Sequence, residues 1–125
     1  MRELIIKKCL KCGAIIREIE PCKCTGCGIQ CCGEEMKALI PNSVDAAFEK
    51  HVPTYEVKDG KVYVRVNHVM DEDHFIVWLA QVADNRTCRV RFVPGQVPEA
   101  IFPYIPGSTL YAYCNKHGLW KKTVE

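Results

Sequence analysis

Thr54-Tyr55-Glu56-Val57-Lys58-Asp59-Gly60-Lys61-Val62-Tyr63-Val64-Arg65-Val66-Asn67 is the stretch that decides how this chain folds. Val62, Val64 and Val66 alternate with Tyr63, Arg65 and Asn67, the two-residue period of a strand with one buried face. Asp59-Gly60 separates two such runs, and this pair favours the left-handed backbone that a two-residue hairpin requires. Residues 54–58 and 61–67 are therefore predicted to form a hairpin.

Working outward, residues 74–82, 88–93, 100–104, 109–113 and 119–124 read as further strands. Asp84-Asn85, Pro94-Gly95 and Pro106-Gly107 supply turns between them. Residues 44–50 are short enough for one helical turn, and Pro53 keeps the chain after His51 extended. About seven short strands with almost no helical pattern predict a mainly β fold, an immunoglobulin-like antiparallel β-sandwich over residues 39–125. Trp78 and Trp120 are expected in its core, and Cys88 as a small buried strand residue. Tyr111 and Tyr113 are expected to be part core and part site wall, and Lys116 exposed.

Residues 1–38 are of another kind. Seven of the nine cysteines lie there, at Cys9, Cys12, Cys22, Cys24, Cys27, Cys31 and Cys32. Residues 3–8 and 14–19 read as strands, too little to fold on apolar burial alone, so metal ligation is expected to compensate. Cys9-Leu10-Lys11-Cys12-Gly13 and Cys24-Thr25-Gly26-Cys27-Gly28 are both Cys-x-x-Cys-Gly knuckles, in which glycine lets backbone N–H groups turn toward the sulfurs. Cys9, Cys12, Cys31 and Cys32 are the first choice of ligands. Cys9 and Cys12 with Cys24 and Cys27 is a second set, of zinc-ribbon or rubredoxin-like spacing. An iron–sulfur cluster drawing on Cys22, Cys24 and Cys27 is a third. Spacing leaves the three open.

Clustered cysteines in odd number, without an evident signal peptide, point to a reducing compartment and to metal rather than disulfides; a cytoplasmic location is expected. No apolar run approaches the roughly 20 residues of a membrane span. The formal charge of +2, without a basic stripe interleaved with aromatics, gives no ground for a nucleic-acid partner.

The histidines have the opposite distribution to the cysteines. His51, His68, His74 and His117 are all the chain has, and all lie beyond residue 50. His117 follows Cys114 in Tyr113-Cys114-Asn115-Lys116-His117, where one tight turn aims a thiolate and an imidazole at a single ion. His68 ends one strand and His74 opens the next, which brings both to one rim of the sandwich. Imidazole and thiolate suit iron, zinc or copper, and five such ligands exceed the four of a structural zinc; one iron is the expected occupant.

Glu49-Lys50-His51-Val52-Pro53, the pair His68 and His74 within residues 67–78, residues 94–100 and Tyr113-Cys114-Asn115-Lys116-His117-Gly118-Leu119-Trp120 together resemble the superoxide reductases, neelaredoxin and desulfoferrodoxin. Cys9-x-x-Cys12 with Cys31-Cys32-Gly33-Glu34-Glu35-Met36-Lys37 resembles the desulforedoxin domain of the two-iron members. The resemblance implies a square plane of His51, His68, His74 and His117 about a mononuclear non-haem iron, with Cys114 axial. The sixth position would be open, or taken by Glu49 in the ferric state. It implies one-electron reduction of superoxide to hydrogen peroxide, with Lys50 attracting the anion and orienting a proton-carrying water. It further implies a second centre, an iron held by four cysteine sulfurs, an electron donor such as rubredoxin, and a homodimer or homotetramer. Val69 stands where the family usually has proline after its histidine. Residues 21–30 are extra to the simple desulforedoxin pattern, and a related variant, methanoferrodoxin, carries a [4Fe–4S] centre instead.

Two rival readings differ in class: a non-catalytic iron electron carrier, and a zinc-ribbon binding module. Rapid consumption of superoxide separates the first, and metal content the second.

Overall fold

The structure, a computed structural model, describes residues 3–23 and 28–125. They divide into two compact units, residues 3–40 and 41–125.

In the first unit β1 (Ile5–Lys8) runs antiparallel to β2 (Ile15–Glu18). The Lys7 ammonium pairs with the Glu18 carboxylate across this ribbon. β3 (Gln30–Cys31) and β4 (Glu34–Glu35) form a small hairpin, and β5 (Lys37–Ala38) lies on the free edge of β1. The turn between β3 and β4 is Cys32-Gly33, both left-handed, with φ of 54° and 77°. That geometry suits glycine and strains cysteine. Leu4, Ile6, Cys9 and Met36 are the buried apolar side chains of this unit among the described residues.

The second unit holds seven strands. β6 (Thr54–Lys58) and β7 (Lys61–Arg65) form the hairpin expected from their alternation, with Lys58 opposite Lys61. Asp59 and Gly60 have φ of 53° and 73°, as a twisted two-residue turn demands. β8 (Ile76–Val82), β9 (Thr87–Arg91), β10 (Glu99–Pro103), β11 (Thr109–Cys114) and β12 (Gly118–Thr123) follow. β10, β7 and β6 make one antiparallel sheet; β12, β11, β8 and β9 make the other. Val62, Val64, Ala100 and Phe102 of the first sheet and Leu79, Leu110, Ala112 and Trp120 of the second share one core. The fold is thus a mainly β antiparallel sandwich.

Trp78, Tyr111, Tyr113 and Trp120 are buried, so both tyrosines belong to the interior; Cys88 is half-buried against the core. The helical turn narrows to a 3-10 turn, Phe48–Lys50. β8 begins at Ile76, two residues later than the alternation suggested, because His74 is drawn into a separate bridge with Asp71. No helix among the described residues is long and apolar enough to cross a membrane.

Candidate metal centre

One end of the sandwich gathers the four histidines and Cys114. His51 follows the 3-10 turn, and His68 lies shortly after β7. His74 precedes β8, and Cys114 ends β11, three residues before His117 in the turn to β12. Their donor atoms all lie within 4.8 Å of one another.

The rings form a closed circuit. His51 neighbours His68 and His117, and His74 neighbours the same two, with ring centroids 4.6 to 5.0 Å apart and ring planes steeply inclined. His51 Nε2 and His74 Nε2 lie 3.0 and 3.3 Å from His117 Nδ1. Metal–nitrogen bonds of about 2.0–2.1 Å at right angles place adjacent nitrogens about 2.9 Å apart. Cys114 Sγ lies 3.4 Å from His68 Nε2 and 3.9 Å from His117 Nδ1, two rings on opposite sides of the circuit. A sulfur that reaches both lies over the circuit rather than within it. Cys114 is fully buried, whereas His68, His74 and His117 keep part of their surface exposed.

Tautomers are set from behind. His51 Nδ1–H donates to the Ala47 carbonyl at 2.7 Å, and His68 Nδ1–H donates to the Val69 carbonyl at 2.5 Å. Both rings therefore turn a bare Nε2 lone pair toward the others. A proton on His117 Nδ1 can satisfy His51 or His74, not both, so lone pairs outnumber protons at the centre. A cation resolves that excess, and imidazole with thiolate suits iron, zinc or copper. Burial, above all, pushes the His51, His68 and His74 imidazoles below the ordinary histidine range and favours the neutral, ligating form. His51 also stacks on Trp120, whose indole N–H donates to the His117 carbonyl at 3.0 Å, tying two candidate ligands to one core residue.

In the first unit Cys9, Cys12, Cys31 and Cys32 converge in the same way. Cys12 and Cys31 sulfurs lie 3.6 Å apart, and those of Cys31 and Cys32 lie 3.8 Å apart. Bonds of about 2.3 Å in a tetrahedron put sulfurs about 3.8 Å apart. The Cys12 backbone N–H, 3.5 Å away, helps bring the Cys9 thiol down to about 6. Hydrogen bonding with Cys12, then Cys9 and Cys32, pushes the Cys31 thiol up to about 12. Four thiols this close cannot all ionise without a cation.

The desulfoferrodoxin family model matches residues 43–123. The chain belongs to the desulfoferrodoxin family. It is 42% identical to a desulfoferrodoxin of Syntrophotalea carbinolica over 94% of each chain, and 40% identical to one of Nitratidesulfovibrio vulgaris over 93% of each. Among solved structures it resembles the superoxide reductase of Treponema pallidum, with a TM-score of 0.73 and 28% identity over 98% of this chain and 100% of that one. A superoxide reductase of Giardia intestinalis matches 61% of this chain and 97% of its own, with a TM-score of 0.55 and 28% identity. This member of the desulfoferrodoxin family thus carries a candidate iron site of four histidines and one cysteine, together with a group of four cysteines.

Of the residues singled out in the sequence, the structure brings together the four histidines with Cys114, and Cys9, Cys12, Cys31 and Cys32. Cys22 is exposed and stands outside that group, its N–H bonded to Glu18. Cys24 and Cys27 lie outside the described residues. Glu49 and Lys50 are exposed on the 3-10 turn that leads into His51, and Glu49 is not among the converging donors. Sequence reasoning missed the Ala47 and Val69 carbonyls, since every residue has a carbonyl and none announces its direction.

Proposed function

We propose that this chain is a superoxide reductase, which transfers one electron to superoxide and releases hydrogen peroxide. The observation that carries the reading is the circuit of four imidazoles with a buried cysteine sulfur over it, in a chain of the desulfoferrodoxin family. Its structural neighbours named superoxide reductase support an oxidoreductase. His51, His68, His74, His117 and Cys114 hold the iron. Bound there, iron supplies one electron at a time and a place for a small anion.

Superoxide takes that electron and two protons to become hydrogen peroxide, so the protein must attract an anion and deliver protons. Lys50 is exposed beside His51 and supplies positive charge at the approach. Lys116, between two ligands, adds charge partly offset by Asp73 at 3.9 Å. Lys50 also orients the water that carries a proton, and Glu49, its neighbour on the same turn, would be a further donor to the iron. Cys114, held in the core, would donate electron density to that iron.

Cys9, Cys12, Cys31 and Cys32 form the second centre, one iron held by four sulfurs. Residues 1–38 are the small metal domain and residues 39–125 the catalytic one. A carrier such as rubredoxin returns the electron, the assembly is a homodimer or homotetramer, and the protein works in the cytoplasm.

Stopped-flow mixing of the reduced, iron-loaded protein with superoxide tests the activity. Rapid decay of superoxide with hydrogen peroxide as sole product is expected. Decay no faster than in buffer leaves the electron-carrier reading, and a colourless protein with zinc alone leaves the binding module.

A further inference from the structure

Asn115 lies between two candidate ligands in sequence, is half-buried, and belongs to neither the donor group nor the shared core. We propose that Asn115 is the positioning residue that fixes His74 in the metal centre, an inference that rests on reading the four histidines and Cys114 as a metal site. Its carboxamide grips the chain on both sides of His74. Asn115 Nδ2–H donates to the Asp73 carbonyl at 3.0 Å, and Asn115 Oδ1 accepts the Phe75 N–H at 3.0 Å. Its own backbone N–H donates to the Phe75 carbonyl at 3.2 Å.

The peptide groups of His74 itself are held from another direction. Its N–H donates to the Asp71 carbonyl at 3.3 Å, and its carbonyl accepts the Asp71 N–H at 3.0 Å. From the Asp73 carbonyl to the Phe75 carbonyl, each backbone polar group therefore has a partner, and three of those partners come from Asn115.

The sheet needs such a clamp at this point. β11 and β8 step out of register between Tyr113 and Cys114: Tyr113 pairs with Trp78, but Cys114 pairs with Ile76. β8 begins at Ile76, so the regular ladder stops just short of His74. The Asn115 amide carries the pairing one residue further, and its side chain then spans the gap to Asp73. The task calls for a donor and an acceptor on one short, planar group. Aspartate offers only acceptors, alanine neither, and glutamine sits one methylene too far out. Because the same residue is joined to Cys114, the spacing of His74 from His117, 3.3 Å between donor nitrogens, is set by a single rigid turn.

Asn42 provides the internal control. Its side chain makes the same two-pronged contact, donating to the Lys121 carbonyl at 3.3 Å and accepting the Lys121 N–H at 2.8 Å. It clamps a strand rather than a ligand.

The test titrates metal-free full-length protein with Co2+ against a competing chelator and follows the part of the thiolate-to-metal absorption that Cys114→Ser removes, which excludes the four-cysteine group. Asn115→Ala is expected to lower Co2+ affinity roughly ten- to hundredfold and to shift the band. Asn115→Asp keeps the acceptor for Phe75 N–H and is expected to fall between it and wild type; being nearly isosteric, it carries the test if the alanine variant does not fold. Asn42→Ala is expected to lower the urea midpoint yet hold Co2+ affinity within about twofold. Wild-type affinity and an unmoved band in both Asn115 variants would overturn the proposal, as would equal weakening by Asn42→Ala. His74→Ala separates the two levels: if it binds Co2+ as tightly as wild type, the metal-centre reading itself fails and the role of Asn115 goes with it.

Discussion

His51, His68 and His74 resist protonation in the folded chain chiefly because burial disfavours the charged ring. Their folded values lie below the unfolded value of about 6.5. As pH falls through that value, the unfolded chain takes up protons first, so the metal-free protein loses stability with falling pH. Urea midpoints of metal-free protein at pH 8 and pH 5.5 check the sign, with the lower midpoint expected at pH 5.5. In the proposed site Cys114 contributes charge as well as a bond. Cys114→Ser is expected to remove the thiolate-to-metal band of the histidine site, leaving that of the four-cysteine group, and to slow superoxide consumption by at least about tenfold. Full activity with iron bound would remove the thiolate from the mechanism. For Lys50, an electrostatic role means that Lys50→Ala slows the bimolecular step about tenfold at low salt and flattens its salt dependence. An unchanged low-salt rate would exclude it.

At the scale of elements, turns do most of the positioning. Gly60 has a φ of 73° in the β6–β7 turn, where a side chain costs about 1 kcal/mol. Gly60→Ala is expected to lower unfolding free energy by about that amount and to leave metal affinity unchanged, since the turn carries no ligand. Gly118 at φ 78° closes the turn that carries Cys114 and His117, and a Cβ there meets Val44 Cγ2 at 3.5 Å, an ordinary contact. The cost of Gly118→Ala is therefore backbone strain alone, but it falls on a ligand turn. Stability and Co2+ affinity are both expected to drop, and a loss of stability alone would show that the turn tolerates the strain without moving His117.

The whole molecule combines two ways of being stable. Residues 41–125 bury a continuous apolar core, while residues 3–40 bury only Leu4, Ile6, Cys9 and Met36 among the described side chains. A unit of that size depends on its metal. Chelation under reducing conditions is expected to erase amide-exchange protection in Ile5–Lys8 and Ile15–Glu18 while Ile76–Val82 and Thr109–Cys114 stay protected. Retained protection in the small unit would mean that its strands hold without metal.

The amino-acid order alone determined the strands of the sandwich to within a few residues at their ends, because alternation of valine with polar residues and Asp59-Gly60 act over a few neighbours; the short strands Gln30–Cys31, Glu34–Glu35 and Lys37–Ala38 carry no such signal. It also marked which residues are candidate ligands, because a thiol and an imidazole three positions apart in one turn have few other uses. Tertiary structure decided what depends on distance between remote segments. It set the circuit of rings, the choice of Cys31 and Cys32 as partners of Cys9 and Cys12 among the described cysteines, and the grip of Asn115 on the chain around His74. Cys12 and Cys31 are 19 positions apart, Phe75 and Asn115 are 40, and His51 and His117 are 66. Even the short-range partners of His51 and His68 are backbone carbonyls, at Ala47 and Val69. A carbonyl has no letter of its own in the sequence, so only the folded chain shows where it points.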